Sequence, residues 1–268
     1  MNTNDEQPCM GKPEILMEQF IPDHVFLYVT KGSVSCYDGN KSYTLREGEY
    51  GLMRKNCLAR YYSEKGIPFE RIIFCFEEAF IRSFQEKYKL TVRPYNHTAA
   101  YVRITPNDMI PAFIASLKPY TNSAGKINTA FEDIKYEELL LILLQQQPEL
   151  AGLFFDYAKP GKINLEEFMH RNYKFNVNID RFAYLTGRSL SAFKRDFKAI
   201  FKDTPNQWLV KRRLQEAYIL IEQDNKKASE IYVELGFEDL SHFSFAFKKL
   251  FGLRPTEVTA SIKHNPSH

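Results

Sequence analysis

Short runs of alternating apolar and polar residues fill the first third of the chain. The runs VFLYVT, VSCY, KSYTL, YGLM and FERIIFCF are separated by polar turn residues, and Asp38-Gly39 stands between two of them. Alternation with a period of two is typical of half-buried β-strands, and an Asp-Gly pair is a strong hairpin signal. Residues 20–77 are therefore predicted to form a mainly-β barrel or sandwich.

The spacing of apolar residues changes to that of helices after Glu77. It predicts helices near Glu78–Tyr88, after Pro106 and within Thr129–Gln146. The last of these lies in FEDIKYEELLLILLQQQP, which is too apolar to be covered easily by one sheet face. A second subunit or the chain's own β-domain could cover it, and both readings stay open at this point.

A short polar stretch, YAKPGK over residues 157–162, separates the two halves of the chain. Its Pro-Gly pair is a turn signal, and a new helical pattern begins at Leu165. The chain is therefore predicted to have two domains, a mainly-β domain over residues 1–157 and an all-helical domain over residues 158–268.

The helical half contains an internal repeat with an offset of fifty residues. Residues 185–205 align with residues 235–255 without a gap, and eight of the 21 positions are identical. Each copy has a short helix (IDRFAYL or ASEIYVEL), a turn with glycine, a capping residue (Ser189 or Asp239) and a longer helix. This order is typical of a helix-turn-helix motif, whose second helix enters the major groove of DNA.

The two faces of each longer helix differ in composition. Phenylalanines recur every fourth residue on one face and are predicted to be core, namely Phe193, Phe197, Phe201, Phe243, Phe247 and Phe251. The outward positions are the candidate DNA contacts, because they carry donors that bind base edges and phosphates. They are Ser191, Lys194, Arg195 and Lys198 in the first copy, and Ser241, His242, Ser244, Phe245 and Lys248 in the second. The second helix, which bonds weakly or touches a thymine methyl, is expected to discriminate bases less strongly.

Between the copies, WLVKRRLQEAYILI is an amphipathic helix that is predicted to brace both units. Its predicted buried face holds Leu209, Leu214, Ala217, Leu220 and Ile221. Lys211, Arg212 and Arg213 cluster on the same helix. We interpret them as a solvated face, with phosphate contact as the alternative.

The positive charge is concentrated in the helical half. The whole chain has a net charge of +3, but residues 160–268 hold 18 Lys and Arg against 13 Asp and Glu, whereas residues 1–159 hold 18 against 20. A basic surface is what phosphate binding requires. Double-stranded DNA is therefore the expected partner.

Other classes of function have little support in the sequence. Cys9, Cys36, Cys57 and Cys75 lack the close spacing of a zinc site and are predicted to be reduced thiols of a cytoplasmic protein. The first 169 residues contain only two histidines, His24 and His97, without close partners, so a metal-dependent enzyme is not favoured. No catalytic, cofactor or metal site is predicted, and no apolar window is long enough for a membrane helix.

The C-terminal segment resembles the AraC/XylS family of bacterial transcription regulators. The resemblance is carried by SLSAFKRDFKAIF, by the connecting helix over residues 208–221 with Arg213-Leu214 and Ala217, and by ELGFEDLSHFSFAFKKLFGLRPTEV. The N-terminal half resembles the cupin-like sensory domain common in that family, mainly through YTLREGEYGLM.

The resemblance implies a cupin-like sensory and dimerisation domain over residues 1–157 and a double helix-turn-helix domain over residues 158–268. It implies that two recognition helices enter successive major grooves, with base-facing residues at Ser191, Lys194 and Arg195 and at Ser241, His242, Ser244 and Phe245. It also implies that the N-terminal domain binds a small-molecule effector or a regulatory protein, that the chain forms a homodimer, and that RNA polymerase is a further partner.

The chain departs from the family pattern at three places. Tyr232 stands where alanine is usual, and Phe245 stands where arginine is common. Lys202-Asp203 replaces the glycine expected after the first recognition helix, whereas the second copy keeps Gly252. The second departure places base reading by the second helix in question.

What the N-terminal domain binds is left open by the sequence. Aromatic residues of the predicted strands could line a pocket for a small molecule or form ordinary core. They are Tyr28, Tyr37, Tyr61, Tyr62, Phe74 and Phe76. An open apolar cavity would favour a small effector, and a filled interior would favour control through protein contacts.

Overall fold

The computed structural model describes residues 19–63, 68–90, 92, 99–121 and 127–258. The described chain divides into two compact units, one made of residues 21–158 and the other of residues 19–20 and 159–258. Cys9 and His97 lie outside the described residues. No helix in the described ranges is long and apolar enough to cross a membrane.

Short strands between Phe20 and Arg103 form open sheets. The described strands are β1 (Phe20–Ile21), β2 (His24–Lys31), β3 (Ser33–Tyr37), β4 (Ser42–Arg46), β5 (Tyr50–Met53), β6 (Cys57–Leu58), β7 (Arg60–Ser63), β8 (Glu70–Phe76) and β9 (Tyr101–Arg103). A four-stranded antiparallel sheet has the order β8-β2-β5-β9, a three-stranded one has the order β4-β3-β7, and β1 pairs with β6. The mainly-β prediction is confirmed, with open sheets in place of a closed barrel.

Each face of the four-stranded sheet contributes to a core, although the edge strand β8 exposes Ile73 and Cys75. Phe26 of β2 is opposite Leu52 on β5 and Phe74 on β8, and these three side chains belong to a core shared with the helices of this unit. The next residue, Leu27, belongs to a second core shared with the three-stranded sheet. This division follows because successive side chains of a strand point to opposite faces.

Asp38 and Gly39 are the first two residues of the turn between β3 and β4, which spans residues 38–41 and is longer than the two-residue turn that an Asp-Gly pair predicts. The Asp38 Oδ1 atom accepts hydrogen bonds from the backbone amides of Asn40 at 2.9 Å and Lys41 at 2.8 Å, and Gly39 has a φ of +91°. An aspartate bonded to the amides that follow it and a glycine with positive φ are the local causes of such turns. The hairpin prediction is confirmed.

Helices in the first unit pack on the sheet face that contains Phe26. They are α1 (Glu78–Tyr88), α2 (Met109–Ser116), α3 (Thr129–Gln146) and α4 (Ala151–Phe154), with single 3-10 turns at Lys118–Tyr120 and Pro148–Leu150. The three helices predicted after Glu77 are confirmed. The Asn128 side chain caps α3 by accepting a hydrogen bond from the amide of Ala130.

The helix α3 has two apolar faces. Leu139, Leu140 and Leu143 are buried in the core of the first unit, so α3 packs on its own domain. A second set, which we call the outer face of α3, is exposed and consists of Phe131, Ile134 and Leu141. The residues of this set are three and seven positions apart, which places them on one side of the helix.

The second unit is helical throughout its described elements. They are α5 (Leu165–Asn172), α6 (Ile179–Leu185), α7 (Leu190–Phe201), α8 (Pro205–Glu222), α9 (Ala228–Ile231) and α10 (Leu240–Phe251). The prediction that ASEIYVEL is helical over its whole length is wrong, because α9 ends at Ile231 and residues 232–236 form turns. The helix gives way to a turn there, in which the amide of Phe237 donates to the carbonyl of Tyr232 at 3.0 Å and Leu235 remains buried.

The helix α8 contacts both copies of the repeat. Near its start, the ring centre of Trp208 lies 4.6 Å from that of Phe201. Near its end, the ring centre of Tyr218 lies 5.0 Å from that of Phe251. The predicted bracing role of this helix is therefore confirmed.

Arg213 of α8 is buried, so its interpretation as part of a solvated basic face is wrong. Only 7% of the residue is exposed, and its guanidinium donates hydrogen bonds to the carbonyls of Tyr173, Phe175 and Gly236. A planar group with five donors can satisfy several carbonyls at once, which makes burial of this charge tolerable. Its neighbour Lys211 is exposed.

Candidate nucleic-acid interface

The turn between α6 and α7 sets the direction of the first candidate recognition helix. Gly187 has a φ of +65°, its amide donates to the carbonyl of Tyr184, and the amide of Arg188 donates to the carbonyl of Ala183, both at 3.0 Å. These paired bonds are a Schellman motif, which ends a helix with a left-handed residue. A Cβ atom on Gly187 would lie 2.4 Å from the backbone carbon of Gly161, so only glycine fits there.

Side-chain caps begin both candidate recognition helices. The Ser189 Oγ atom accepts a hydrogen bond from the amide of Ala192 at 3.3 Å. Asp239 Oδ1 accepts one from the amide of His242 at 2.6 Å. Each cap satisfies an amide that the helix itself leaves without a partner, so both predicted caps are confirmed.

The helix α7 separates its core from its polar residues. Phe193 and Phe197 are fully buried and Phe201 is partly buried, so the predicted aromatic core of this copy is confirmed. The four candidate DNA contacts of α7 are all exposed, namely Ser191, Lys194, Arg195 and Lys198. Their spacing of three and four residues puts them on one side of the helix, away from the core.

Arg195 combines high exposure with a weak ion pair on α7. Its side chain is 77% exposed and its Nη2 atom lies 3.2 Å from Asp196 Oδ1. Hydrogen bonds from Arg188 and then from Arg195 hold the pKa of the Asp196 carboxyl below its usual value. Exposed ion pairs of this kind contribute little to stability, so Arg195 can exchange Asp196 for a base edge or a phosphate at small cost.

The segment from the turn glycine to the helix cap is one residue longer in the second copy than in the first. Gly236 has a φ of +84°, and its amide donates to the carbonyl of Val233 at 3.0 Å. Two residues separate Gly236 from the cap Asp239, whereas one separates Gly187 from Ser189. The helices of the two copies therefore align at an offset of fifty residues, but the turn glycines align at an offset of 49.

The helix α10 presents a different surface from α7. Phe243 and Phe247 are fully buried and Phe251 is partly buried, as predicted. Of the candidate DNA contacts, Ser244 is half-buried and the other four are exposed, namely Ser241, His242, Phe245 and Lys248. The phenyl ring of Phe245 is 71% exposed and has no place in the aromatic core of its own copy.

Comparison with known proteins places this interface in a family. Residues 24–153 match the model described as ExsA N-terminal regulatory domain, and residues 182–261 match the model described as helix-turn-helix domain. The virulence regulon transcriptional activator VirF of Yersinia enterocolitica is 23% identical over 246 residues, which cover 87% of this chain and 88% of VirF. The chain belongs to the AraC/XylS family of transcriptional regulators.

Two further proteins match a smaller part of the chain or match it weakly. The regulator ExsA of Pseudomonas aeruginosa is 26% identical over 125 residues, which cover 46% of this chain and 45% of ExsA. The structure of ToxT from Vibrio cholerae aligns with 94% of this chain and 95% of its own, with 16% identity and a TM-score of 0.37. The family assignment rests on the sequence matches alone.

As a member of the AraC/XylS family, the chain is a DNA-binding transcription regulator. Two cations near α10 were not among the DNA contacts predicted from the sequence. Lys227, directly before α9, and Arg254, after α10, are exposed and line a groove beside Phe245 and Lys248. Their sequence signal is weak, because neither lies on a recognition helix.

Among the residues that the structure describes, the space between the two main sheets of the N-terminal unit is nearly filled. The space between its two main sheets has a volume of about 10 Å³, with Leu27, Cys36 and Tyr61 among the residues around it. A cavity of this size holds about one water molecule. The aromatic residues considered for a pocket do not converge there, since Phe74 and Phe76 lie in the helix-facing core, on the opposite face from Tyr61.

Histidines and cysteines of the N-terminal unit have structural surroundings. His24 is fully buried beside Phe154, with ring centres 5.2 Å apart, and its Nδ1 atom accepts a hydrogen bond from the amide of Lys55 at 3.3 Å. Cys36 and Cys57 are buried free thiols. Within the described ranges, no three His, Cys, Asp or Glu residues are grouped so that they could hold a metal ion.

Proposed function

We propose that this regulator reads a specific duplex by placing α7 and α10 in successive major grooves. The proposed contact residues are Ser191, Lys194, Arg195, Lys198, Ser241, His242, Ser244, Phe245 and Lys248. Serine, histidine, lysine and arginine donors near the start of a helix can reach base edges, and lysines one turn later can reach phosphates.

One observation carries this proposal. In both helices a fully buried phenylalanine pair holds one face in the core, Phe193 with Phe197 and Phe243 with Phe247, so the opposite face is presented to solvent. That face has the cations on α7, and the caps orient both helices at fixed turns. A rigid helix with an exposed donor-bearing face is what major-groove reading requires.

Selection from a random duplex pool tests the proposal directly. The full chain is incubated with the pool at low and at moderate salt, and the retained duplexes are sequenced. Two enriched blocks about one helical turn apart, roughly 10 base pairs, are expected. A pool without any enriched sequence would overturn specific reading, and a single block would overturn reading by both helices.

Matched variants identify which block belongs to which helix. Replacing Lys194 and Arg195 together with alanine is expected to remove the preference in one block and leave the other. Lys31→Ala removes a positive charge from the first unit, where Lys31 is exposed and lies 3.7 Å from Glu70, and should leave both blocks unchanged. Loss of both blocks in the double variant would contradict the assignment of one block to each helix.

For the N-terminal unit, the nearly filled inter-sheet space favours control by a protein partner over control by a small effector bound between the sheets. Ligand sites for small molecules are usually clefts of about 300–1,000 Å³. The inter-sheet space of about 10 Å³ is far below that size. We therefore propose that protein contacts on the surface of this unit regulate the chain.

A homodimer is proposed along the outer face of α3. Phe131, Ile134 and Leu141 are exposed there, although the other apolar face of the same helix already fills the core. Covering the outer face with the same face of a second copy would remove these side chains from water. Such a self-complementary contact is the usual form of a two-fold dimer.

Native mass spectrometry of the full chain after incubation with a small-molecule extract of cells tests both proposals. A dimer without a bound small molecule is expected. Ile134→Glu should give monomers, whereas Gln146→Glu, which adds the same charge to α3 off the outer face, should remain dimeric. Val34→Leu fills the inter-sheet space. If the wild-type chain binds a stoichiometric small ligand and this variant does not, control by protein contacts alone is overturned. A monomeric wild-type chain would overturn the dimer.

Two further parts of the proposal follow from the relatives. VirF is named as a transcriptional activator, which is the basis for proposing RNA polymerase as a second macromolecular partner of this chain. A regulator of this kind acts in the cytoplasm, where the DNA of a bacterium lies. An in vitro transcription assay with purified polymerase and the selected operator tests the first point, and no change in transcript level would overturn it.

A further inference from the structure

A groove with a volume of about 700 Å³ runs beside the second recognition helix. Leu240, Ser244 and Phe245 of α10 line one side. Three of the other lining residues are cations, Lys227 before α9, Lys248 on α10 and Arg254 after α10, and none of the described lining residues is acidic. The groove therefore has an apolar wall on α10 and a positive charge.

Phe245 is the residue that makes this wall unusual. Its ring is 71% exposed, although the phenylalanines two positions away on either side, Phe243 and Phe247, are fully buried. An exposed phenyl group on a helix gives no stability to the fold, because it makes no core contact. It occupies the position that Arg195 has in the first copy, fifty residues earlier.

The charge of the groove indicates what it binds. Three cations without a lining carboxylate match the phosphates of a nucleic acid backbone, which lysine and arginine neutralise. Between its phosphates, the major groove of DNA offers one apolar group, the C5-methyl group of thymine, and phenylalanine is among the side chains that contact it. A groove that has both an apolar wall and cations thus matches a thymine methyl group with phosphates nearby.

We propose that Phe245 is a specificity-determining residue that reads the 5-methyl group of a thymine, while Lys227, Lys248 and Arg254 hold the neighbouring phosphates. The proposal rests on the proposed function and gives its two helices different chemistries. On α7, Arg195 would read a base through hydrogen bonds. On α10, Phe245 reads a methyl group through apolar contact, so its preference is set by shape and not by donor pattern.

Replacement of thymine by uracil isolates this contact. The two bases pair identically with adenine and differ only in the 5-methyl group. Each thymine in both strands of the selected duplexes is replaced in turn by deoxyuridine, and the affinity of the full chain is measured. One thymine in the block read by α10 is expected to weaken binding about threefold to tenfold when its methyl is removed, as for one buried methyl group.

Variants connect the lost methyl group to Phe245. Phe245→Ala is expected to bind thymine and uracil duplexes equally, and Phe245→Leu, which keeps an apolar side chain, should retain part of the difference. Arg195→Ala, the equivalent position of the first copy, should retain all of it. Circular dichroism melts of the three variants should match the wild-type chain, because all three changes are at exposed positions.

The outcomes separate this inference from the proposed function. If no duplex is enriched in the selection, both fall together. If duplexes are enriched but no thymine in the second block responds to loss of its methyl group, Phe245 does not read thymine, and two-helix binding stands. If Phe245→Ala keeps the full thymine preference, another side chain reads the methyl group and the assignment is overturned.

Discussion

Arg213 Nη1 donates a 2.9 Å hydrogen bond to the carbonyl oxygen of Gly236, which fastens the connecting helix to the turn of the second helix-turn-helix unit. The same guanidinium donates from Nε to Tyr173 and from Nη2 to Phe175, each at 2.7 Å. One side chain therefore joins α8, the segment after α5 and the turn before α10. The position of the second recognition helix depends on this junction.

Replacing Arg213 with lysine tests the junction. Lysine keeps the charge but cannot donate from three fixed directions, so buried carbonyls lose their partners. We expect the free energy of unfolding to fall by about 2–4 kcal/mol, from about 1–3 kcal/mol for each buried group left without a partner. Urea denaturation followed by the fluorescence of Trp208, the single tryptophan of the chain, measures it.

The control for this change is the next residue. Arg212→Lys alters a side chain that is 30% exposed and lies 3.6 Å from Glu216, and should cost about 0–1 kcal/mol. Equal stability of Arg213→Lys and the wild-type chain would contradict a role for the fork of the guanidinium. The salt dependence of DNA binding should be unchanged in Arg213→Lys, because this buried group is not a phosphate contact.

Two glycines of the second unit allow the cost of a left-handed backbone to be measured separately from the cost of a close contact with the added Cβ atom. Gly236 and Gly252 both have positive φ, +84° and +79°, but a Cβ atom on Gly236 would lie 2.7 Å from the carbonyl oxygen of Lys174, whereas one on Gly252 meets nothing within 4 Å. In Gly252→Ala, the free energy of unfolding is expected to fall by about 1–2 kcal/mol, which is the cost of a left-handed backbone alone. In Gly236→Ala, the free energy of unfolding should fall clearly further. Similar decreases for the two variants in urea denaturation would show that the close approach is unimportant.

The sequence predicted the elements whose pattern is local. The helices α1 and α3, the Asp38-Gly39 hairpin and the buried phenylalanines of α7 and α10 all follow from spacing and caps within about 20 residues. The two-residue strand β6 and the three-residue strand β9 carry too few residues for a pattern. The latter exists because it pairs with β5, about fifty residues earlier.

The burial of Arg213 was not predictable either, because it also depends on residues far away in the sequence. In the sequence it stands beside Lys211 and Arg212, with the same charge and the same helix. What separates it from them is the set of carbonyls it meets, from residues 173, 175 and 236, and their approach depends on tertiary packing. The nine candidate DNA contacts stay predictions, since exposure on a helix face does not establish what a side chain binds.

His24 makes the stability of the first unit sensitive to acid. Its burial, followed by the nearby charge of Lys55, lowers the pKa of the imidazole to about 3. Because the unfolded chain takes up a proton near pH 6.5 and the folded chain does not, stability is full above that pH and falls as the pH drops towards 3. We expect a loss of about 2 kcal/mol between pH 7 and pH 5, at 1.36 kcal/mol per unit.

The variant His24→Asn removes this titration and keeps a side-chain oxygen that can accept the Lys55 amide. Its unfolding free energy, followed by circular dichroism of the sheet, should change less between pH 7 and pH 5 than that of the wild-type chain. The raised pKa of Asp23, caused mainly by burial and then by Glu77, acts in the opposite direction and is common to both proteins. Identical pH profiles would mean that His24 is protonated in the folded chain.

Arg195→Ala distinguishes base reading from phosphate binding in the first unit. Loss of a bidentate base contact should cost about 1–3 kcal/mol on the selected operator, relax one base position and leave binding to random DNA almost unchanged. A phosphate contact would instead weaken binding to both kinds of DNA and lower the salt dependence by about one ion. Because Arg195 shares Asp196 with Arg188, Asp196→Asn is the companion variant. If Arg195 reads a base, Asp196→Asn should shift affinity while keeping the base preference, whereas loss of the preference would mean that Asp196 orients the guanidinium for reading.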